Sequence, residues 1–312
     1  MRTLHTVAEL RAALAPERRA GRTIGLVPTM GALHEGHVSL IRAARAACDV
    51  VVVSAFVNPA QFDDPADLAV YPRTEEHDAA RAADAGADLL FAPSVAEVYP
   101  DGFATTVSVA GPLTETLEGA HRGAAHFHGV TTVVTKLLNM VQPDVAYFGR
   151  KDAQQAAVVR RLARDLDLPV RIELCPTVRE PDGLALSSRN ALLRGEKRER
   201  ALALSRALRA VAGAIADGTV SDPAQARRIG IEALHEHGAE PEYFEVADPA
   251  TLAPVADLEH DVLLLAAARV GRVRLIDNLL AAPPSRTPHV EAEVATLRVS
   301  RSVNPERQEH QP

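Results

Sequence analysis

The stretch from Thr23 to His37 constrains the fold of this chain more than any other. A short apolar run, Thr23–Val27, predicts a buried strand, the residues PTMGALHEGH follow it at 28–37, and a helical apolar pattern begins at Val38. A glycine-containing loop that opens a helix presents backbone N–H groups and the positive end of the helix dipole. The stretch therefore predicts a phosphate-binding turn between a strand and a helix.

The two histidines of this stretch point to chemistry at a phosphate. His34 and His37 are three residues apart, so both side chains can reach one face of the first helical turn. Gly36 allows close approach, and imidazole N–H groups donate to phosphate oxygens without a full charge. Two alternatives stay open: a zinc site, which needs a further ligand and another spacing, and histidines that only cap the helix. The chemistry we favour is cleavage of ATP between its α- and β-phosphates.

Strand-like and helical segments alternate through the first 175 residues. Such alternation predicts an α/β fold with a Rossmann-like, doubly wound parallel sheet, and ligands then bind beyond the carboxyl ends of the strands. The residues after Val27 and those after Phe148 both fall at that edge. The predicted strands are 23–27, 50–56, 89–92, 105–109, 145–148 and 170–174, and the predicted helices are 36–47, 74–85, 129–140 and 152–166.

A second, smaller unit is predicted after about residue 180. Helical patterns rich in Ala, Arg and Glu precede strand-like stretches there, which is typical of an α+β domain. The helices are predicted at 196–217 and 223–237, and the strands at 242–247, 262–270 and 272–280. We therefore divide the chain into a Rossmann-like domain at 1–179, a smaller domain at 180–282 that hinges near 181–183, and a tail at 283–312. The tail is polar and contains proline, which predicts flexibility.

Charge and composition exclude several classes of protein. A formal net charge of −7 argues against a nucleic-acid partner held by a basic surface. The longest apolar stretch, Val262–Ala268, is too short to span a bilayer, and the N-terminal residues contain no secretory apolar core. Cys48 and Cys175 provide neither a disulfide framework nor a metal-binding spacing. These features predict a cytoplasmic enzyme.

Two further motifs carry groups suited to phosphate. In FGRKDAQQ, at 148–155, Lys151 stands near a helix start as a point charge, although Asp152 alone could be an ordinary helix-terminal charge. In GLALSSRN, at 183–190, the hydroxyls and arginine of Ser187–Arg189 could close over a triphosphate. The alternative for that segment is a turn that caps the following helix.

Uncharged hydrogen-bonding side chains mark where a substrate should lie. The motif NPAQF, which follows a predicted strand, places Asn58 and Gln61 there. The motif YPRT follows at 71–74. Further along, EGAHRGAAHFHG at 118–129 contains Arg122, which could neutralise a carboxylate or phosphate or could be an ordinary surface arginine.

Together these segments resemble the pantothenate synthetase (pantoate–β-alanine ligase) family. The matching stretches are PTMGALHEGH, NPAQF, YPRT, FG-x-KD-x-QQ and GLALSSRN, in family order and spread over most of residues 1–282. The resemblance implies an HxGH nucleotidylyltransferase-type fold and a homodimer. It implies condensation of (R)-pantoate with β-alanine through a pantoyl adenylate, with Mg²⁺ accompanying ATP as substrate and with AMP and pyrophosphate released.

The resemblance also implies a role for each matching residue. The catalytic set it implies is His34, His37, Lys151, Ser187, Ser188 and Arg189. The ATP-binding set adds Met30, Gly149, Asp152 and Val178, and the pantoate-binding set is Asn58, Gln61, Arg122 and Gln155. Asp78, in the acidic stretch after YPRT, is the residue we consider for a place near Mg²⁺.

The chain departs from the family pattern near two of these residues. Position 150 is Arg where Glu is usual, position 153 is Ala where an aromatic residue is common, and one extra residue separates Arg122 from His126. As a hypothesis, the charge of Arg150 tightens ATP binding or lowers the pKa of Lys151.

Other functions compete with this interpretation. A different HxGH nucleotidylyltransferase would share the two histidines but would not account for NPAQF together with FG-x-KD-x-QQ. A tRNA synthetase is excluded by the short, acidic chain without an anticodon domain. A non-catalytic nucleotide-binding paralogue stays open because of the departures around Lys151.

Overall fold

The structure, a computed structural model, describes residues 1–62 and 65–284. The predicted flexibility of the tail concerns residues of which nearly all, 285–312, lie outside the described part. The described residues form a large parallel α/β unit followed by a smaller α+β unit, which confirms the predicted fold class. Among them, no helix combines the length and apolarity needed to cross a membrane.

The large unit is built on a parallel sheet with the order β1-β4-β3-β2-β5-β6 within the described residues. Its strands are β1 (Arg2–Leu4), β2 (Ile24–Thr29), β3 (Val50–Ala55), β4 (Leu89–Phe91), β5 (Val145–Gly149) and β6 (Arg171–Cys175). From β2 the chain builds outward through β3 and β4 on one side, and β5 then pairs with the other side of β2. The direction of strand order therefore reverses between β2 and β5, where ligands bind in folds of this kind.

Helices cover both faces of this sheet. They are α1 (Val7–Arg19), α2 (Glu35–Ala47), α3 (Pro65–Val70), α4 (Glu75–Asp84), α5 (Val95–Val98), α6 (Pro112–Glu115), α7 (Glu118–Arg122), α8 (Ala124–Val141) and α9 (Ala153–Asp165). Strand β3 shows why both faces need cover. Val50 and Val52 pack in a core layer with α1, α8 and α9, whereas Val51 and Val53 pack in the opposite layer with α2 and α4. An uninterrupted apolar run, rather than an alternating one, is what such a strand requires.

One predicted strand of the large unit is wrong, and one observed strand was not predicted. The predicted strand at 105–109 is not a strand, because its backbone bonds to threonine side chains of α8: the N–H of Val107 donates to Thr132 Oγ1 (3.0 Å) and its carbonyl oxygen accepts from Thr131 Oγ1 (2.6 Å). Strand β1, which pairs with β4, was missed because three residues are too few to show periodicity.

The small unit packs an antiparallel sheet between two helices and the large unit. Its sheet has the order β7-β8-β9 within the described residues, with β7 (Glu240–Ala247), β8 (Val262–Val270) and β9 (Val273–Ala281). Its helices are α10 (Glu196–Ala201), α11 (Ala203–Ala216) and α12 (Pro223–Glu236), so the single helix predicted at 196–217 is divided at Leu202. Leu264 and Ala266 of β8 face the core shared with α11 and α12, while Leu265 packs with Leu113 and Ala157 of the large unit.

The segment predicted as a hinge is a hydrogen-bonded turn. The N–H of Gly183 donates to Glu180 O, and the N–H of Glu180 donates to Leu184 O, both at 2.8 Å. Gly183 has φ +96°, a left-handed conformation that suits glycine. Arg179 pairs with Ala185 across this turn as an isolated antiparallel bridge. The domain boundaries and the hinge remain predictions.

Candidate active site

A cleft of about 250 Å³ lies beyond the carboxyl ends of β2 and β5, at the predicted edge of the sheet. It brings together most of the residues predicted for ATP and pantoate: Met30, His34, His37, Asn58, Gln61, Gly149, Lys151, Asp152, Gln155, Val178, Ser187, Ser188 and Arg189. A second cavity of about 650 Å³ shares Met30, Gln61 and Lys151 with the cleft and is also lined by Arg122. Asp78 is instead buried behind the loop that precedes α2.

The two histidines cap α2 and line the cleft at the same time. His34 is the N-cap residue, and its Nδ1 accepts the N–H of Gly36 at 3.1 Å. The Nδ1 of His37 accepts the N–H of His34 at 3.3 Å, and the two rings stack with centroids 4.1 Å apart. The helix-capping alternative is therefore correct as a description of the contacts. Because each Nδ1 accepts a hydrogen bond, each neutral ring carries its proton on Nε2, which remains as a donor.

Both histidines are neutral at neutral pH. Burial, followed by the neighbouring His34, lowers the pKa of His37 to about 3. Burial, followed by the ammonium of Lys151, also lowers the pKa of His34 below its usual value. The cleft therefore presents two uncharged N–H donors beside one cationic lysine.

Gly36 is needed by this capping arrangement. A Cβ at this position would lie 2.8 Å from Cε1 and 2.9 Å from Nδ1 of the His34 ring, which folds back over the first turn of α2. A side chain here would displace the ring from the N–H group that it caps, because Cβ atoms do not approach other atoms so closely.

Asp78 fixes the loop that carries the histidines. Its side chain is 1% exposed, and its carboxylate accepts hydrogen bonds from the N–H groups of Ala32 (2.9 Å) and Leu33 (2.7 Å). The hydroxyl of Thr74 donates to the same carboxylate at 3.1 Å. Ala32 has φ +50°, a left-handed conformation that costs an alanine about 1–2 kcal/mol. These bonds offset that cost, and they argue for a positioning role of Asp78 rather than the magnesium role we considered.

Lys151 and Asp152 lie in a short 3-10 turn, Arg150–Asp152, between β5 and α9. The Nζ of Lys151 is 3.3 Å from Asp152 Oδ1, and the Asp152 side chain makes no capping bond to α9. Desolvation of the half-exposed Asp152 carboxylate in the cleft acts to raise its pKa. The positive charges of Lys151 and Arg189 outweigh this effect and hold the pKa of Asp152 below its usual value. Asp152 is therefore ionised and faces the cleft.

The side-chain amide of Asn58 makes all of its hydrogen bonds within the protein. The side chain is 1% exposed, and its Nδ2 donates to Gln61 Oε1 (3.0 Å) and to Gly129 O (3.1 Å). Its Oδ1 accepts from the hydroxyl of Tyr99 (2.8 Å) and from the N–H of Ala60 (3.3 Å). An amide offers two donors and two acceptor sites, all of which are occupied here. These contacts favour a role in orienting Gln61 over the direct contact with pantoate that we predicted.

The side-chain N–H of Gln61 donates to a sulfur atom, which is a weak acceptor. Its side-chain Nε2 lies 2.9 Å from the thioether sulfur of Met30, and its backbone carbonyl oxygen is 2.8 Å from Nδ1 of His126. A thioether is a poor acceptor, so a substrate oxygen can readily replace it. His126 and Tyr99 were not among the predicted site residues. The motif that contains His126 was recognised, but neither local sequence indicates a contact with the segment that contains Gln61.

The serine-rich segment forms a short turn that lines both cavities. A 3-10 turn spans Ser188–Leu192, and the hydroxyl of Ser187 accepts the N–H of Arg189 at 3.3 Å. This is the capping contact that we considered as the alternative for the segment. Ser188 and Arg189 line the cleft and the larger cavity, so the turn is also in place to contact a phosphate.

Arg122 is held by an acidic residue that sequence reasoning missed. Its Nε donates to Glu118 at 3.1 Å, and Arg274 of the small unit makes two 2.7 Å bonds to the same carboxylate. Tyr243 donates a further bond at 3.0 Å. Burial acts to raise the pKa of Glu118, but the two arginines outweigh it and lower that pKa to about 2. Glu118 and Arg274 are 156 residues apart, and no local pattern connects them.

Arg150 is not among the residues that line the cleft. It lines another cavity, of about 240 Å³, together with Arg160, Leu174 and Leu280. This placement argues against the hypothesis that its charge acts on ATP. It also removes the main reason to suspect a non-catalytic paralogue.

The chain is similar to one family over nearly all of its described length. The family described as Pantoate-beta-alanine ligase matches residues 2–280. A relative named pantothenate synthetase from Chelativorans sp. (strain BNC1) is 55% identical over 281 residues, which are 90% of this chain and 98% of the relative. The pantothenate synthetase of Thioalkalivibrio sulfidiphilus (strain HL-EbGR7) is 55% identical over 290 residues, 91% of this chain and 100% of that protein.

Solved structures of the same family share the fold. Pantothenate synthetase from Thermus thermophilus matches with a TM-score of 0.85 at 50% identity, over 91% of this chain and 100% of that chain. Pantoate-beta-alanine ligase from Francisella tularensis, complexed with beta-gamma ATP and beta-alanine, matches with a TM-score of 0.74 at 34% identity, over 90% of this chain and 97% of that chain.

Proposed function

The chain belongs to the pantoate–β-alanine ligase family and catalyses the ATP-dependent condensation of pantoate with β-alanine, and we propose that it does so through a pantoyl adenylate formed in the cleft. The observation that carries this proposal is the pair of neutral histidines beside Lys151 at the switch point of the sheet. Such an arrangement suits a reaction in which negative charge moves onto a departing phosphate group.

In the first step, a carboxylate oxygen of pantoate attacks the α-phosphorus of ATP in line. The new P–O bond forms as the bond to the β-phosphate oxygen breaks, and pyrophosphate leaves with that electron pair. The Nε2–H groups of His34 and His37, together with the ammonium of Lys151, stabilise the charge that develops on the phosphate oxygens. The turn Ser187–Arg189 holds the β- and γ-phosphates from the other side.

Pantoate lies between Gln61 and Gln155 in this proposal. The Nε2 of Gln61 exchanges the sulfur of Met30 for a pantoate oxygen, and Asn58 keeps the amide in orientation. Gln155, on the first turn of α9, lines the same cleft. Orientation of two bound reactants removes much of the entropic barrier to their reaction.

The nucleoside and the metal ion make different demands on the cleft. The ionised carboxylate of Asp152 accepts hydrogen bonds from the ribose hydroxyls. Met30 and the backbone at Gly149 and Val178 surround the nucleoside. Mg²⁺ arrives with ATP as part of the substrate, and nucleotide-bound Mg²⁺ keeps mainly phosphate and water ligands. The carboxylate oxygens of Asp78 are engaged by the loop before α2, so we leave Asp78 out of that metal site.

In the second step, the neutral amine of β-alanine attacks the carbonyl carbon of the adenylate. The C–N bond forms, the C–O bond to the phosphate breaks, AMP leaves with that electron pair, and the amine proton passes to solvent. The larger cavity, which shares Gln61 and Lys151 with the cleft, is the route we propose for β-alanine. Arg122, which we predicted to bind pantoate, lies on the wall of this cavity, so we assign it instead to the β-alanine carboxylate, in addition to its bond to Glu118. The homodimer and the cytoplasmic location remain predictions.

The proposal is tested by exchange of labelled pyrophosphate into ATP, with Mg²⁺ present and β-alanine absent. We expect exchange that requires pantoate and is lost in His37→Ala and Lys151→Ala. His235→Ala and Lys197→Ala, at two exposed positions of the small unit, are matched controls and should retain exchange. Exchange without pantoate would mean that AMP is transferred to an acceptor other than pantoate and would contradict the proposal. A folded chain that binds ATP but shows neither exchange nor AMP release with β-alanine would be a non-catalytic paralogue.

A further inference from the structure

Three polar residues join the two segments that carry phosphate-binding groups. Arg179 precedes the turn that leads to the serine-rich segment, and Asp277 and Asn278 lie side by side on β9. On the basis of the proposed function, we infer that these three residues form a clamp that positions Lys151 and the turn Ser187–Arg189 for ATP. They act through other residues and are positioning residues rather than catalytic ones.

Asn278 holds the turn that carries Lys151. Its side-chain Nδ2 donates to the carbonyl oxygen of Arg150 at 2.9 Å and to that of Lys151 at 2.8 Å. Both amide hydrogens are therefore used on two successive carbonyl groups of the 3-10 turn. Asn278 is 7% exposed, so water has little access to replace these bonds. A residue of the small unit thereby fixes the backbone from which the lysine side chain starts.

Asp277 and Arg179 hold the second segment. Asp277 is 4% exposed and accepts two bonds from the Arg179 guanidinium, at 2.7 and 3.0 Å. The same guanidinium donates to the carbonyl oxygens of Gly183 and Asn278, both at 3.2 Å. Arg179 thus ties the turn before Ser187 to β9.

The clamp is built on a rigid support. Asp277 Oδ1 accepts the backbone N–H of its neighbour Asn278 at 2.8 Å, so the Asp277 side chain also holds the backbone from which the Asn278 side chain starts. Strand β9 pairs with β8 along its whole length, which limits independent movement of either residue. Phosphate-binding groups on two separate segments need this kind of support, because misplacement by about 1 Å is enough to weaken their joint action.

A double-mutant cycle distinguishes positioning of Lys151 from general stabilisation of the unit interface. Asn278→Leu keeps the side-chain volume and removes both donors, and ATP affinity is measured by calorimetry in the full chain. We expect the ATP Kd to rise about tenfold when Lys151 is present and to change less than about twofold in the Lys151→Ala background. Equal increases in both backgrounds, or no increase in either, would overturn the clamp.

Tyr243→Phe is the matched control, because Tyr243 also donates a hydrogen bond between the units but contacts Glu118 rather than the Lys151 turn. We expect its ATP Kd to be unchanged. If Asn278→Leu does not fold, Arg179→Lys replaces it, with Arg189→Ala as the second member of the cycle. Additive changes there would again overturn the clamp. Absence of pantoate-dependent exchange in the unaltered chain would instead contradict the proposed function. A failure of the clamp can therefore be distinguished from a failure of the proposed function.

Discussion

His37 performs two tasks through its two ring nitrogens, and two substitutions can separate them. Its Nδ1 accepts the N–H of His34, and its Nε2 is left to donate into the cleft. An asparagine at position 37 places an amide oxygen near the site of Nδ1, so it keeps the cap and loses the donor. A glutamine reaches the site of Nε2 with an N–H group, so it keeps the donor and weakens the cap.

The structure gives different magnitudes for the two losses. The capping bond is long, at 3.3 Å, so its loss should lower the free energy of unfolding by about 0.5–1 kcal/mol. Loss of a donor that acts on the transition state costs about 3–4 kcal/mol, or roughly 10²–10³ in rate. We therefore expect His37→Asn to lose about 10²-fold or more in pantoate-dependent exchange with little change in stability.

Exchange rates at saturating ATP and pantoate, together with urea unfolding of both variants, check this assignment. His37→Gln should retain at least about ten times the exchange rate of His37→Asn, although it is the less stable of the two. Equal rates in the two variants would refute the role of the Nε2 donor. A larger loss of stability in His37→Asn than in His37→Gln would refute the assignment of Nδ1 as the cap.

Three further predictions concern residues around the cleft. Asn58→Leu removes the acceptor of the Tyr99 hydroxyl and the donor that orients Gln61. We expect the pantoate KM to rise about tenfold or more while the ATP Kd, measured by calorimetry, stays within twofold. A selective effect on ATP would contradict this. Because the pKa of Glu118 is lowered to about 2, its stabilisation is complete above about pH 4.5 and is lost as the pH falls toward 2. The unfolding free energy should therefore drop by about 2 kcal/mol more between pH 6 and pH 3 in the unaltered chain than in Glu118→Gln, and equal drops would be inconsistent with the ion pairs. Arg150→Glu should leave the ATP Kd and the pH profile of exchange unchanged, since Arg150 lines a different cavity. A severalfold change in that Kd would restore the hypothesis that the charge of Arg150 acts on ATP.

The parts of the site that follow directly from strand ends could be predicted from sequence. The loop after β2 and the turn after β5 are each local, and parallel strands bring their carboxyl ends to one edge. The positions of His37 and Lys151 in one cleft follow from that rule alone. The periodicity of α2 and the unbroken apolar run of β3 are likewise local consequences of burial.

The parts that depend on distant contacts could not be predicted. Asp78 binds the loop at Leu33 from 45 residues away, and Asn278 reaches the Lys151 turn from 127 residues away. Such contacts depend on how whole elements pack, which leaves no spacing or motif in the chain. The prediction of a strand at 105–109 was wrong for the same reason. The residues of this segment have the composition of a strand, but threonine side chains of α8 form the hydrogen bonds to its backbone.

The adenylate is tested most directly by following the carboxylate oxygens of pantoate. Pantoate labelled with ¹⁸O at both carboxylate oxygens is converted with ATP and β-alanine, and the products are analysed by mass spectrometry. If pantoyl adenylate forms in the cleft, AMP carries a single ¹⁸O in its phosphate and pantothenate keeps the other in its amide carbonyl. Unlabelled AMP, or label in inorganic phosphate or pyrophosphate, would contradict attack of pantoate on the α-phosphorus.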